Sequence, residues 1–199
     1  MSGAPPPGHG RVTRGILRIG TFKADGMAEF SATPQAFLNS LAPLLALPVV
    51  GGLIMLGRGH VAEALASVLA NLVILLAPPV AAHAVARWWG REALWLRYAV
   101  AYNWCQWAVA LALLVAMVGG GILVAIGLPD MAVAQLAMLA LAGYGIALNW
   151  FLARTALQLS GGRAALFIFM VWLAAMVLIM VPVVLTAMQQ GIGLSGLPA

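Results

Sequence analysis

Charge is what this sequence has least of. Asp, Glu, Lys and Arg make up 8% of its 199 residues, while hydrophobic residues make up 64%. Soluble domains carry about 25% charged residues. So few ionic groups cannot cover a water-facing surface, so a bilayer must solvate most of this chain. Cysteine is nearly missing too: Cys105 stands alone. That excludes an intramolecular disulfide and a cysteine-based zinc site, and leaves a buried structural thiol. The membrane core of the apolar runs contains no Asp or Glu, the groups through which proton-coupled pumps and transporters typically relay, so that class loses ground. There is no HExxH, no Ser–His–Asp set and no carboxylate pair. The expectation is therefore a protein that is not an enzyme and holds no cofactor or metal. Gly119–Gly121 follows no strand and meets no P-loop lysine, which leaves nucleotide binding unsupported.

What is present is apolar sequence in long runs. A helix crosses the roughly 30 Å hydrocarbon layer with about 20 apolar residues. Five segments meet that test: Ala36–Leu56, Val61–Ala84, Ala99–Ile122, Met131–Leu152 and Ala164–Met188. They are apolar on every face, which fits helices and not the alternating strands of a barrel. The expected fold is all-α, an integral membrane bundle of five transmembrane helices. It divides into a flexible basic tail over 1–30, the helical domain over 31–190 and a short tail over 191–199. The N-terminal stretch is basic, but "GILRIG" is too short and charged for a signal-peptide core. Arg11 to Phe22 could instead lie weakly on anionic lipid.

The cations set the orientation. Threading five spans puts Arg11, Arg14, Arg18, Lys23, Arg87, Arg91, Arg97, Arg154 and Arg163 on one side, and Arg58 alone on the other. Such an excess marks the cytoplasmic side. The N-terminus is thus expected in the cytoplasm and the C-terminus outside. The basic pI of about 10.4 then reflects topology and not nucleic-acid binding. The connection "VARWWGREALWLR" could be a helix lying in the interface, and "ARTALQLSGGR" should extend the fourth span until Gly161 and Gly162 stop it. Pro43, Pro48, Pro78, Pro79 and Pro182 fall within spans. The Pro78–Pro79 pair reads as a fixed kink, with a hinge or cavity as the alternative.

One stretch concentrates polar and aromatic groups: "RYAVAYNWCQW", Arg97 to Trp107. Asn103 and Gln106 are three apart and share a helix face. Asn39 and Asn149 fall at the same depth, and Asn71 lies nearer mid-span. These amides should face protein, as interhelical pairs or as the lining of a polar pocket. Most tryptophans fall at the inner interface and none at the outer, so the cytoplasmic half is the candidate working half. Arg87, Arg91, Arg97, Arg154 and Arg163 are the candidate lipid or partner contacts there. His83 lacks companions at ligand spacing, and His60 with Glu63 reads as a solvated pair. Alanine ladders at Ala62, Ala66 and Ala70, and at Ala108, Ala112 and Ala116, suggest close-packed faces.

The five-span plan, "YAVAYNW" opening the third span and "NWFLARTALQLSGGRAALFIF" joining the fourth to the fifth, resemble the Yip-domain family of Rab-interacting membrane proteins. The resemblance covers roughly residues 30–188 and implies no catalytic residues. The long N-terminal region common in eukaryotic members is absent, and the Ala-, Arg- and Trp-rich composition looks bacterial. The leading expectation is a scaffold or assembly partner in a bacterial inner membrane. It would contact the lipid bilayer and a membrane-protein partner or a second copy. The alternative is a small transporter or channel with a cavity between the second, third and fourth spans.

Overall fold

The computed structural model describes the chain from residue 9 to 192, and its side chains from 10 to 180. The tail 191–199 and the side chain of Pro182 therefore fall wholly or largely outside the described residues. Six α-helices and one 3-10 segment follow in order: α1 His9–Gly20, the 3-10 segment Ala24–Glu29, α2 Pro34–Gly57, α3 Val61–Trp88, α4 Glu92–Ala125, α5 Asp130–Ala156 and α6 Gly161–Ile192. No strand occurs among the described residues. Helices α2 to α6 are long and apolar enough to cross a membrane.

Local signals start and stop these helices. Thr33 caps α2, its hydroxyl accepting from the Ala36 amide at 3.2 Å, with Pro34 next in line. The ends of α1 to α5 all close the same way. A residue with positive φ follows the cap, and the next amide reaches back to a carbonyl five residues earlier, the Schellman pattern. Gly59, Gly90 and Gly127 supply the positive φ at three ends, where a side chain would be strained. Phe22 (φ 59°) and Gln158 (φ 53°) do so at the other two. The Leu159 amide reaches the Arg154 carbonyl at 3.0 Å. Gln158, not Gly161 and Gly162, thus ends α5; those glycines begin α6.

The expected interfacial helix is absent. "VARWWGREALWLR" is the last part of α3, a turn at Trp89–Arg91 and the opening of α4. The Gly90 closure, with the Arg91 amide 2.7 Å from the Ala86 carbonyl, makes this turn too tight for an intervening element. Pro78 and Pro79 sit inside an unbroken α3. The Trp95 indole N–H donates to the Pro79 carbonyl at 3.0 Å, pinning this stretch to α4.

Helices α3, α4, α5 and α6 pack as a closed ring, each touching two neighbours, with α2 laid against α3 and α4 and α1 against α4 and α5. Tyr98 of α4 meets Phe167 of α6 edge-on at 5.5 Å, and Trp89 meets the same ring at 6.0 Å. The core is not centred along the bundle. Its buried residues come from α1, the last third of α3, the first half of α4, the last third of α5 and the first half of α6. At the opposite end, near the Gly57–His60 and Gly127–Pro129 turns, Gly52, Ala64 and Val133 are the buried contacts.

Helix length explains this asymmetry. The 34 residues of α4 exceed a 20-residue crossing by about 14, or roughly 21 Å at 1.5 Å per residue. Moving toward the α1 end, large exposed apolar side chains stop at Leu38 on α2, Val80 on α3, Trp107 on α4, Ile146 on α5 and Leu166 on α6. Past that girdle, Trp88, Leu17 and Phe22 are the exposed exceptions among the described residues. The excess helix therefore projects at the α1 end and forms a small water-facing cap.

The segment read as a flexible tail contributes to this cap from residue 9 onward. Val12, Ile16 and Ile19 recur at helical spacing, and Ile19 is fully buried in the core. Gly15 and Gly26 permit the approach, since an added Cβ would meet Phe30 at 2.8 Å or Arg18 at 2.8 Å. Burial of this apolar face fixes a segment whose basic, glycine-containing sequence looks mobile.

Candidate functional site

The polar residues singled out from sequence do not converge on one cavity. Asn103 is fully buried and donates through Nδ2 to the Ser40 hydroxyl of α2 at 3.0 Å. Ser40 in turn donates to the Phe37 carbonyl at 2.7 Å. Asn103 Oδ1 is buried without a hydrogen-bond partner. This is the interhelical amide contact among the candidates, and its partner is Ser40 and not the adjacent Asn39. Asn39 instead accepts from Gln35 one turn earlier at 3.0 Å, on the exposed side of α2. Asn71 donates to the Ser67 carbonyl at 2.8 Å and Asn149 to the Gly145 carbonyl at 2.8 Å, so both amides close on their own helices. Asn71 is exposed on α3, as are the ladder residues Ala62, Ala66 and Ala70. On α4, Ala108 is buried while Ala112 and Ala116 are partly exposed. Gln106 lies beside Tyr102.

The cations assemble differently. Arg11 pairs with Glu29 at 3.1 Å and Arg18 with Asp25 at 2.8 Å, both ion pairs within the α1 segment. Arg87, Arg97, Arg154 and Arg163 are exposed and Arg91 is half-buried, and none has an acid within ion-pair range among the described residues. Arg154 lies over the Trp150 ring, 5.4 Å from its centre, a cation–π contact. Trp150 donates its indole N–H to the Gly161 carbonyl at 2.9 Å and so ties the end of α5 to the start of α6. Trp88 stands 72% exposed beside Arg87 at the tip of the α3–α4 turn. Counting 1.5 Å per residue from Val80, it rises about 12 Å past the girdle. It therefore stands clear of the exposed apolar stretch of α3.

Sequence reasoning missed two pairings. His83 was read as lacking a companion, yet its Nε2 lies 3.4 Å from Glu92 Oε1, across the α3–α4 turn. The Trp95 ring packs edge-on against His83 at 4.6 Å. A nine-residue separation is not a ligand spacing within one helix; only the tight turn closes it. No group of three metal-ligating side chains occurs among the described residues. The other pairing is the docking of α1. Tyr144 of α5 donates its hydroxyl to the Gly20 carbonyl at 3.0 Å, and the Phe22 ring packs edge-on against Tyr144 and Phe151 at 6.0 and 5.5 Å.

These features define a multi-pass helical membrane protein with a compact, basic, aromatic-rich cap at one end. No protein-family model, curated protein or solved structure matches the chain.

Proposed function

We propose that this protein is a non-enzymatic scaffold of the bacterial inner membrane that holds a partner protein, or a second copy, against its cap. The observation that carries this reading is the exposed Trp88 flanked by Arg87 and Arg91 at the α3–α4 turn, neither arginine having an ion pair among the described residues. Arg and Trp are enriched among the residues that dominate binding at interfaces. The nine-to-one distribution of cations favours a cytoplasmic cap and an exoplasmic C-terminus. Kinship with the Yip-domain family belongs to the same proposal, supported by the five-span plan and the two segments that resemble that family.

Site-specific photo-crosslinking in cells tests it. A photoreactive residue at Trp88 or Arg97 should give a protein adduct of one defined mass. The same residue at Leu139, 71% exposed on α5, should give lipid adducts only. A protein adduct from Leu139 with none from the cap would overturn the proposal. The rival, a small transporter or channel, predicts that cysteines placed at Asn71, Asn103 and Asn149 all react with a water-soluble thiol reagent. The scaffold predicts that a cysteine at buried position 103 does not.

A further inference from the structure

We propose that the outward face of α1 is a binding site for the headgroup of an anionic phospholipid. This inference does not depend on the scaffold reading. An open groove of about 570 Å³ runs along that face, and Arg14, Leu17, Arg18, Thr21 and Lys23 contribute to its lining. Its chemistry is divided as a phospholipid is. Arg18 is held by Asp25 at 2.8 Å, Arg14 pairs loosely at 3.9 Å with Glu29, which Arg11 also holds at 3.1 Å, and Lys23 has no ion pair among the described residues. Two arginines thus share one carboxylate, and the surplus positive charge of Arg14 and Lys23 is what remains for a phosphate. Leu17, 53% exposed, and Phe22, 43% exposed, offer an apolar surface to acyl chains.

Position in the fold favours lipid over a soluble ligand. The end of α1 is held at the level of the girdle. Its Gly20 carbonyl takes the Tyr144 hydroxyl at 3.0 Å, and a Cβ on Gly20 would stand 3.2 Å from that of Ala108. Ala108 follows Trp107, and Tyr144 lies two residues from Ile146; Trp107 and Ile146 are the exposed apolar residues that mark the girdle on α4 and α5. Lys23 and Phe22 therefore stand beside the last exposed apolar residues of α4 and α5. A basic helix with apolar residues at that level is the usual form of a protein element bound in the interface. Here the helix is already folded against the bundle, so binding does not require it to order first.

The test uses the purified full chain, with phosphatidylglycerol and phosphatidylcholine as probes in native mass spectrometry. The wild type should retain phosphatidylglycerol preferentially. The double variant Arg14→Gln/Lys23→Gln should lose that preference by about thirtyfold, the contribution of two surface cations near anionic lipid. Leu17→Gln should weaken retention of both lipids, and Arg58→Gln, at the far end, should change nothing. Circular dichroism should show full helix content in every variant. Undiminished retention by the double variant, or an equal loss in Arg58→Gln, would overturn the site. Displacement by an equal concentration of inorganic phosphate would overturn the lipid assignment in favour of a free-phosphate site.

Discussion

The two ends of this bundle are built from the same helices by different rules. At the α1 end, water surrounds the projecting helices and the hydrophobic effect drives their packing. Tyr98, Phe167, Leu148 and Leu152 are almost completely buried there. At the far end, lipid is as apolar as leucine, and association rests on close contact between small residues. Gly52 against Val68 and Gly120 against Val133 are such contacts, while Leu114, Met117, Met138 and Leu139 face outward. The difference teaches that a membrane helix can be loosely held within lipid yet firmly fixed beyond it.

The largest effect should come from the cap. Phe167→Ala removes a fully buried ring and should cost about 3–5 kcal/mol in a denaturant titration of the detergent-purified chain. Leu139→Ala at the far end should stay within about 0.5 kcal/mol. Equal losses would break the comparison. Next is Gly52→Val, since even a Cβ there would come 2.5 Å from Val68 Cγ2. We expect a loss of about 1–3 kcal/mol from overpacking, read as a lowered melting temperature. Gly143→Ala, where a Cβ meets nothing within 4 Å, should be neutral or gain up to about 1 kcal/mol.

Polar contacts should matter less. Asn103→Leu loses the Ser40 hydrogen bond but also removes the unpartnered Oδ1. A double-mutant cycle with Ser40→Ala should return a coupling of about 0.6 kcal/mol and no more than about 2. Asn149→Leu should change stability by under about 0.5 kcal/mol, because its amide bonds only its own helix. A larger effect at 149 than at 103 would reverse the assignment of the interhelical contact. The last expected change is a gain. Gln158→Gly should stabilise by up to about 1 kcal/mol, since glycine takes the left-handed conformation without strain. An unchanged melting temperature would mean that the glutamine side chain offsets that strain.

The sequence reads best where lipid touches the chain. The observed ends at the Gly57–His60 and Gly127–Pro129 turns fall within three residues of the apolar limits. At the α1 end the helices run further: α4 begins at Glu92, seven residues before Ala99, and α3 and α5 each continue four residues past their expected ends. Hydropathy reports immersion in lipid, not helicity. A helix that leaves the hydrocarbon keeps its hydrogen bonds but acquires a polar face, and Arg87, Arg97 and Arg154 mark that change. The amides were legible as residues that would seek partners, but not which partner each would find. Asn103 met Ser40 because α2 and α4 lie side by side, a fact of the assembled ring that no spacing encodes. His83 met Glu92 for a similar reason, through a turn three residues long.

Phe22 closes α1 in a backbone conformation that a bulky residue does not choose alone. Besides the backbone closure, the rings of Tyr144 and Phe151 hold it there. Part of the stop signal of the first helix is therefore written in the fifth. A peptide spanning residues 9–30, cut free of the bundle, would keep its backbone closure at Thr21–Lys23 but lose those rings, and in the growing chain α1 gains their support only after α5 has been made.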